Sequence, residues 1–210
     1  MKIALINENS QASKNPVILE TLKKVVEPMG HQVFNYGMKS ADDHYITYVQ
    51  NGILASILLN SKAVDFVITG CGTGQGALIA LNSFPGVMCG YSLDPSDAYL
   101  FGQINDGNAI SMPFAKGYGW GAEFNLEYTF EKLFSKEFGQ GYPAEKAEVE
   151  QANKKILETI RDNNFQDLIT CLKNNDQDLV KGAIGGEDFE ELFFANCQDE
   201  EIASYIKSLL

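Results

Sequence analysis

Val67-Ile-Thr-Gly-Cys-Gly-Thr-Gly-Gln-Gly76 is the stretch on which the reading of the fold turns. It begins inside Val64–Thr69, apolar at nearly every position, as expected of a central parallel strand covered on both faces. It then breaks into Gly70–Gly76, where four of seven residues are glycine, and Ala77–Asn82 reads as the helix that this turn feeds. The same alternation continues in both directions. Upstream, the strand Met1–Ile6 is followed by polar Asn7–Asn15 and by a helix Pro16–Val26, with Val17, Leu22, Val25 and Val26 on its face. After Gly30 a strand resumes at His31–Phe34, and Tyr45–Asn60 carries Ile46, Val49, Ile53, Ile57 and Leu58 at helical spacing. Downstream come Gly86–Gly90 then Ser96–Phe101, and Asn108–Met112 then Glu123–Phe134. Five alternations predict an α/β fold: a doubly wound, flavodoxin/Rossmann-like, five-stranded parallel sheet that binds its ligand at the carboxyl ends of the strands.

Beyond Gly139 the β-branched runs stop and Glu, Lys, Asn and Gln dominate. Residues 1–139 are therefore read as the α/β domain and 140–210 as a helical C-terminal extension. Ile156, Ile160, Leu168, Leu172, Leu192, Phe193, Ile202, Tyr205 and Ile206 recur at helical intervals, so these helices are expected to pack on the α/β core or on a second subunit.

Composition excludes several partners. The 210 residues hold 28 acidic and 16 basic side chains, net −12, and Arg161 is the only arginine. Nucleic acid and anionic membrane suit such a surface poorly. No apolar run approaches the roughly 18–20 residues of a membrane helix, and no signal-peptide pattern opens the chain, so a cytoplasmic protein is expected. Cys71, Cys89, Cys171 and Cys197 show no close pairing and read as free thiols of a reducing compartment. With only His31 and His44 besides, no metal-ligand spacing exists and no cofactor is expected.

The glycine turn presents backbone N–H groups and the positive end of a helix dipole, a hole suited to an anion. A phosphate-cradling P-loop needs Lys after its last glycine, and a phosphotyrosine-phosphatase loop needs Arg six residues after the cysteine. Ala77 stands at both positions. Gly72-Thr-Gly-Gln-Gly-Ala77 satisfies only a loose dinucleotide pattern, after the third strand rather than the first. What remains is Cys71 at a helix entrance, a setting that favours thiolate over thiol. A thiolate facing an anion hole can abstract a proton beside a carbonyl, because the hole stabilises the enolate so formed. The competing view, a small residue packed in a crowded turn, is outweighed about 2:1 by this setting.

These residues, with Asn82, Pro85-Gly-Val87, Asp94-Pro95 and Asn105-Asp-Gly-Asn-Ala-Ile110, resemble the family of ribose-5-phosphate isomerase B and the galactose-6-phosphate isomerase subunits, over about the first 135 residues. The resemblance implies that Cys71 takes the C2 proton of an open-chain aldose and that amides around Gly72, Gly74, Gln75 and Gly76 hold the enediolate. Thr73 would assist proton movement, Asn105 and Tyr45 would contact substrate, and Asp106 and Asn108 complete the second block. It also implies a metal-free homodimer with sites at the subunit interface. Three departures bear on the substrate. The family histidine before Asn105 is Ile104, a family Asp-His pair after the first strand is Glu8-Asn9, and the phosphate-gripping arginines have no counterpart except Lys116. Arg forks for a phosphate are missing. Longer members resemble isomerases of 4-deoxy-5-hexosulose-uronate, whose carboxylate needs fewer donors and whose open chain needs no ring-opening histidine.

The expected activity is thus aldose–ketose isomerisation through a cis-enediolate on a carboxylated sugar. Ribose 5-phosphate or galactose 6-phosphate isomerisation is the alternative, and a non-catalytic sugar or nucleotide binder the alternative of another class. Glu8 and Asn9, ending the first strand, are expected to contact substrate. His44 is weighed as a replacement acid–base group against a solvated loop histidine, and Lys116 as the carboxylate's counter-charge. Trp120 and Tyr118 could stack on a sugar or serve the core. Cys89 is read as core, and Glu187–Glu191 and Asp199–Glu201 as solvated faces.

Overall fold

The computed structural model describes residues 1–210. Five strands, β1 (Lys2–Ile6), β2 (Gln32–Asn35), β3 (Phe66–Cys71), β4 (Cys89–Tyr91) and β5 (Ala109–Pro113), form one all-parallel sheet in the order β2-β1-β3-β5-β4. Side chains alternate between its faces. Ile3, Leu5, Phe66, Ile68, Ile110 and Met112 point to one side, beneath α1 (Asn15–Val26), α4 (Pro95–Leu100) and α5 (Ala122–Leu133). Ala4, Ile6, Val67 and Ala109 point to the other, beneath α2 (Tyr48–Asn60) and α3 (Gln75–Asn82). The five strands expected from sequence are all present, and so is the helical C-terminal region.

Helix α2 starts three residues later than its apolar spacing suggests, because Thr47 and Gln50 form a reciprocal capping box that fixes its first turn. From Gln50 to Leu58 it is buried on every side: the sheet lies below it, and C-terminal helices lie above. These are α7 (Leu168–Asn174), α8 (Gln177–Ala183), α9 (Phe189–Asn196) and α10 (Glu200–Leu209), whose Leu172, Val180, Phe193 and Ile206 are wholly buried in the same cluster as Ile53, Ile57 and Leu58. Of the two places foreseen for the extension, these four helices take the α/β core.

Helix α6 (Ala147–Asn164) does not follow them. It has no buried residue, Val149, Ile156, Leu157 and Ile160 are 46–60% exposed, and Ile156 and Ile160 join neither apolar cluster of the chain. Polar contacts hold this helix instead. Lys154 pairs with Asp106 at 2.5 Å, and the Arg161 guanidinium donates to the carbonyls of Phe84 and Val87 at 3.2 and 2.6 Å while stacking on Phe165.

At the far edge of the sheet, β4 is only three residues long. Asn82 donates to the carbonyl of Cys89 and accepts from its N–H, at 2.8 and 3.0 Å. Asn108 accepts from Met88 N–H and donates to the Gly86 carbonyl, each at 2.7 Å. Cys89 is buried as expected, and burial pushes its thiol far up, toward the neutral form.

Candidate active site

Strand β3 runs two residues past the apolar run read from sequence, so Cys71 is its last residue, paired in register with Pro113 of β5. Gly70 is needed there, because a Cβ would meet the Met112 carbonyl oxygen at 2.2 Å. The chain then turns through Gly74 in the left-handed region, φ +75°, which frees the first amides of α3 to face the solvent side of the sheet. A Cβ on Gly74 would sit 2.8 Å from the Tyr91 ring and from the Met112 carbonyl carbon, so close packing and backbone conformation both demand glycine. Ser111 Oγ donates to the Gly74 carbonyl at 2.7 Å and fixes the turn on β5.

Cys71 is 7% exposed and opens into a cleft of about 540 Å³ lined by Glu8, Asn9, Ser10, Tyr45, Thr47, Tyr48, Cys71, Gly72, Thr73 and Gly76. The Cys71 Sγ and Thr73 Oγ1 lie 4.0 Å apart, and Thr73 Oγ1 accepts from Gln75 N–H at 3.3 Å. Glu8 is buried: its carboxylate accepts from Ser10 N–H and Ser10 Oγ at 2.9 and 2.6 Å, capping the short 3₁₀ turn 9–14. Asn9 N–H donates to the Ile46 carbonyl at 2.9 Å, which joins the loop after β1 to the loop before α2. The cleft therefore offers a thiol, a hydroxyl two residues on, glycine amides and one buried carboxylate. No lysine or arginine lines it.

Several residues weighed from sequence lie elsewhere in the chain. Lys116 donates its backbone N–H to the Gly72 carbonyl at 2.8 Å, but its side chain lines a separate cleft with Leu93, Met112 and Tyr118. Asn105 ends a π turn at the amino side of β5, the opposite end of the sheet from Cys71, beside Ile104, Asn153 and Lys154. His44 is neither in the cleft nor a solvated loop residue; its side chain is 19% exposed and Nδ1 lies 3.1 Å from Asp43. Trp120 is fully exposed between Gly119 and Gly121, and Tyr118 is half-buried under the Lys14 ammonium, 4.4 Å from the ring centroid. Ser10, Thr47 and Tyr48 were not foreseen in the cleft. Thr47 could have been, since Thr47-x-x-Gln50 is a capping-box signature that places its hydroxyl at a helix start beside Tyr45.

A thiol thus ends a central strand beside a glycine-built turn on a doubly wound sheet, and the comparisons place the chain among the sugar isomerases. The model of the ribose/galactose isomerase family matches residues 3–156, and a second model, described as ribose-5-phosphate isomerase, matches 164–209. The chain belongs to the ribose/galactose isomerase family and is an aldose–ketose isomerase of that type. It is 60% identical, with a TM-score of 0.98 over 100% of this chain and 99% of the other, to a 4-deoxy-L-threo-5-hexosulose-uronate ketol-isomerase solved with tartrate. It is 57% identical, with the same TM-score and coverage, to a ribose-5-phosphate isomerase from Vibrio parahaemolyticus. A type B ribose 5-phosphate isomerase from Trypanosoma cruzi, 18% identical with a TM-score of 0.65, covers 78% of this chain and 99% of its own, and shares the fold. No curated protein sequence matches the chain.

Proposed function

We propose that the protein isomerises an open-chain uronate, 4-deoxy-5-hexosulose-uronate or a close analogue, rather than a sugar phosphate. One observation carries the choice. The only arginine, Arg161, is bound to two main-chain carbonyls and stacked on Phe165, so neither this copy nor another has a free guanidinium fork for a phosphate dianion. A monoanionic carboxylate can be held by amides and neutral side chains. The 60% identity to the uronate ketol-isomerase supports the reading.

In this reading Cys71 removes the proton from C2, the hydroxyl-bearing carbon next to the carbonyl, and the amides of Gly72 and Gly76 receive the charge that collects on the enediolate oxygen, while Gly74 and Gln75, expected to share that charge, do not line the cleft and the Gln75 N–H is given to Thr73. Thr73, 4.0 Å from the sulfur, passes a proton between the oxygens. Glu8, Asn9 and Tyr45 hold the sugar chain. Asn105 lies at the other end of the sheet, so its contact with substrate requires a second copy. The exposed apolar face of α6 close to it gives that copy a surface on which to dock, which favours a homodimer, and four free cysteines suit a reducing compartment such as the cytoplasm. The test is a coupled assay of the purified protein on uronate-derived ketoacids and on a panel of sugar phosphates. Efficient turnover of ribose 5-phosphate with no binding of the uronate would overturn the substrate assignment.

A further inference from the structure

No residue of the C-terminal helices lines the Cys71 cleft, yet those helices grip one of its walls. The wall is the segment 36–47 between β2 and α2, which brings Tyr45 and Thr47 to the cleft and whose Ile46 carbonyl holds Asn9 N–H. The segment meets the extension at three places, and the first turn of α2 that follows it at a fourth. Tyr36 packs edge-on against Phe189, ring centroids 6.3 Å apart. The Lys39 ammonium pairs with Asp188. Gln50, the capping partner of Thr47, donates to the Leu179 carbonyl at 3.4 Å, and Gly182 lies so near that a Cβ there would be 2.5 Å from Gln50 Nε2. Between these points His44 is pressed onto the Gly185-Gly186 turn: a Cβ on Gly186 would sit 3.0 Å from its Cε1.

The ring is fixed from both sides. Asp43 Oδ1 accepts from His44 N–H at 2.7 Å and lies 3.1 Å from Nδ1, while Asp43 Oδ2 accepts from Lys39 N–H at 2.9 Å. His44 Nε2 is buried without a partner and does not reach the cleft, which leaves it no proton to exchange with a substrate there. A side chain of this shape between a two-glycine turn and a substrate wall transmits position. The shorter isomerase from Trypanosoma cruzi is almost fully covered by 78% of this chain, so about a fifth of this chain lies outside the shared fold.

We propose that His44 is a positioning residue through which the C-terminal extension holds the loop of Tyr45 and Thr47 against the substrate cleft. The inference rests on that cleft being the active site. The full-length protein is compared with His44→Ala, His44→Asn and Gly186→Ala, reading Michaelis parameters on the uronate, hydrogen exchange over residues 36–50, and the melting temperature. Asn can keep the bond to Asp43 and part of the packing. His44→Ala is expected to raise KM about fivefold or more, with a smaller effect on kcat, because the wall binds ground and transition states alike. It should also speed exchange of the 36–50 amides about tenfold. His44→Asn should recover most of both effects, and Gly186→Ala should reproduce them from the extension's side. Unchanged KM and exchange in His44→Ala would sink the proposal. So would a kcat loss of about 100-fold in His44→Asn with one limb of the pH–rate profile missing, which is the mark of an acid–base group. If His44→Ala does not fold, Gly186→Ala and Lys39→Met decide by the same readouts. Failure of the cleft assignment shows separately, as retained turnover in Cys71→Ala, and the exchange data still judge His44.

Discussion

At the scale of single residues the chemistry rests on Cys71 and on a turn made of backbone. Removing the thiol leaves the amide hole intact. Cys71→Ala is therefore expected to lower kcat by about 1,000-fold or more, while substrate affinity measured by calorimetry stays within about threefold. Turnover close to that of the parent protein would remove Cys71 as the base. Thr73→Val removes a relay rather than the base, and about a tenfold loss is expected. Asp43 adds a dependence on pH. Burial works against its charge, but hydrogen bonds from Lys39 and His44 outweigh that and hold its carboxyl below the ordinary carboxylate range. A depressed carboxyl stabilises the fold above its unfolded pKa, and that contribution is lost as pH falls through the folded value. Loop 36–47 should thus loosen in acid, seen as a protection factor that drops below about pH 4 in the parent and stays level in Asp43→Asn, whose loop is already loose.

At the scale of elements, the strands were legible because buried parallel strands are written as unbroken apolar runs, and Val64–Thr69 is the clearest case. The glycine turn was legible for the same reason of local chemistry: Gly70 and Gly74 stand where no other residue fits. What the local pattern lacks is the placement of segments far apart in sequence. Lys116 and Asn105 follow the glycine turn in the order of motifs, but Asn105 precedes its strand and so lies at the opposite end of the sheet from the site. His44 meets Gly186 across about 140 residues, and no periodicity encodes that. The apolar spacing of Ile156 and Ile160 was visible, but spacing says that a face is apolar, not whether the same chain covers it. Arg161 shows how α6 is nonetheless held. Its guanidinium satisfies two carbonyls of the 84–87 turn, and hydrogen bonds to a charged group contribute about 1.5–3 kcal/mol. Arg161→Met should cost about 2–3 kcal/mol in denaturant unfolding, and limited proteolysis should then cut first in 140–164. An undiminished midpoint would mean that α6 is held mainly by its other contacts.

For the whole molecule, the extension belongs to the core. Leu172, Val180, Phe193 and Ile206 are wholly buried over α2, and each large apolar side chain so placed contributes about 1.5–3 kcal/mol. Their sum rivals the roughly 5–15 kcal/mol by which a domain is stable. Truncation after Gly139 is expected to give insoluble or partly unfolded protein by light scattering and circular dichroism, since it strips the cover from Ile53, Ile57 and Leu58. A soluble, fully active fragment 1–139 would show the extension to be dispensable.

The short strand β4 bears on what this chain does in a crowded solution. A parallel sheet must stop somewhere, and its last strand ordinarily presents a row of free donors and acceptors to any stray polypeptide. Here the outward N–H and C=O of Cys89 are both occupied by the Asn82 side-chain amide, on a strand of three residues. A foreign strand arriving at that border finds the places at Cys89 already taken, so one asparagine blunts this edge of the sheet.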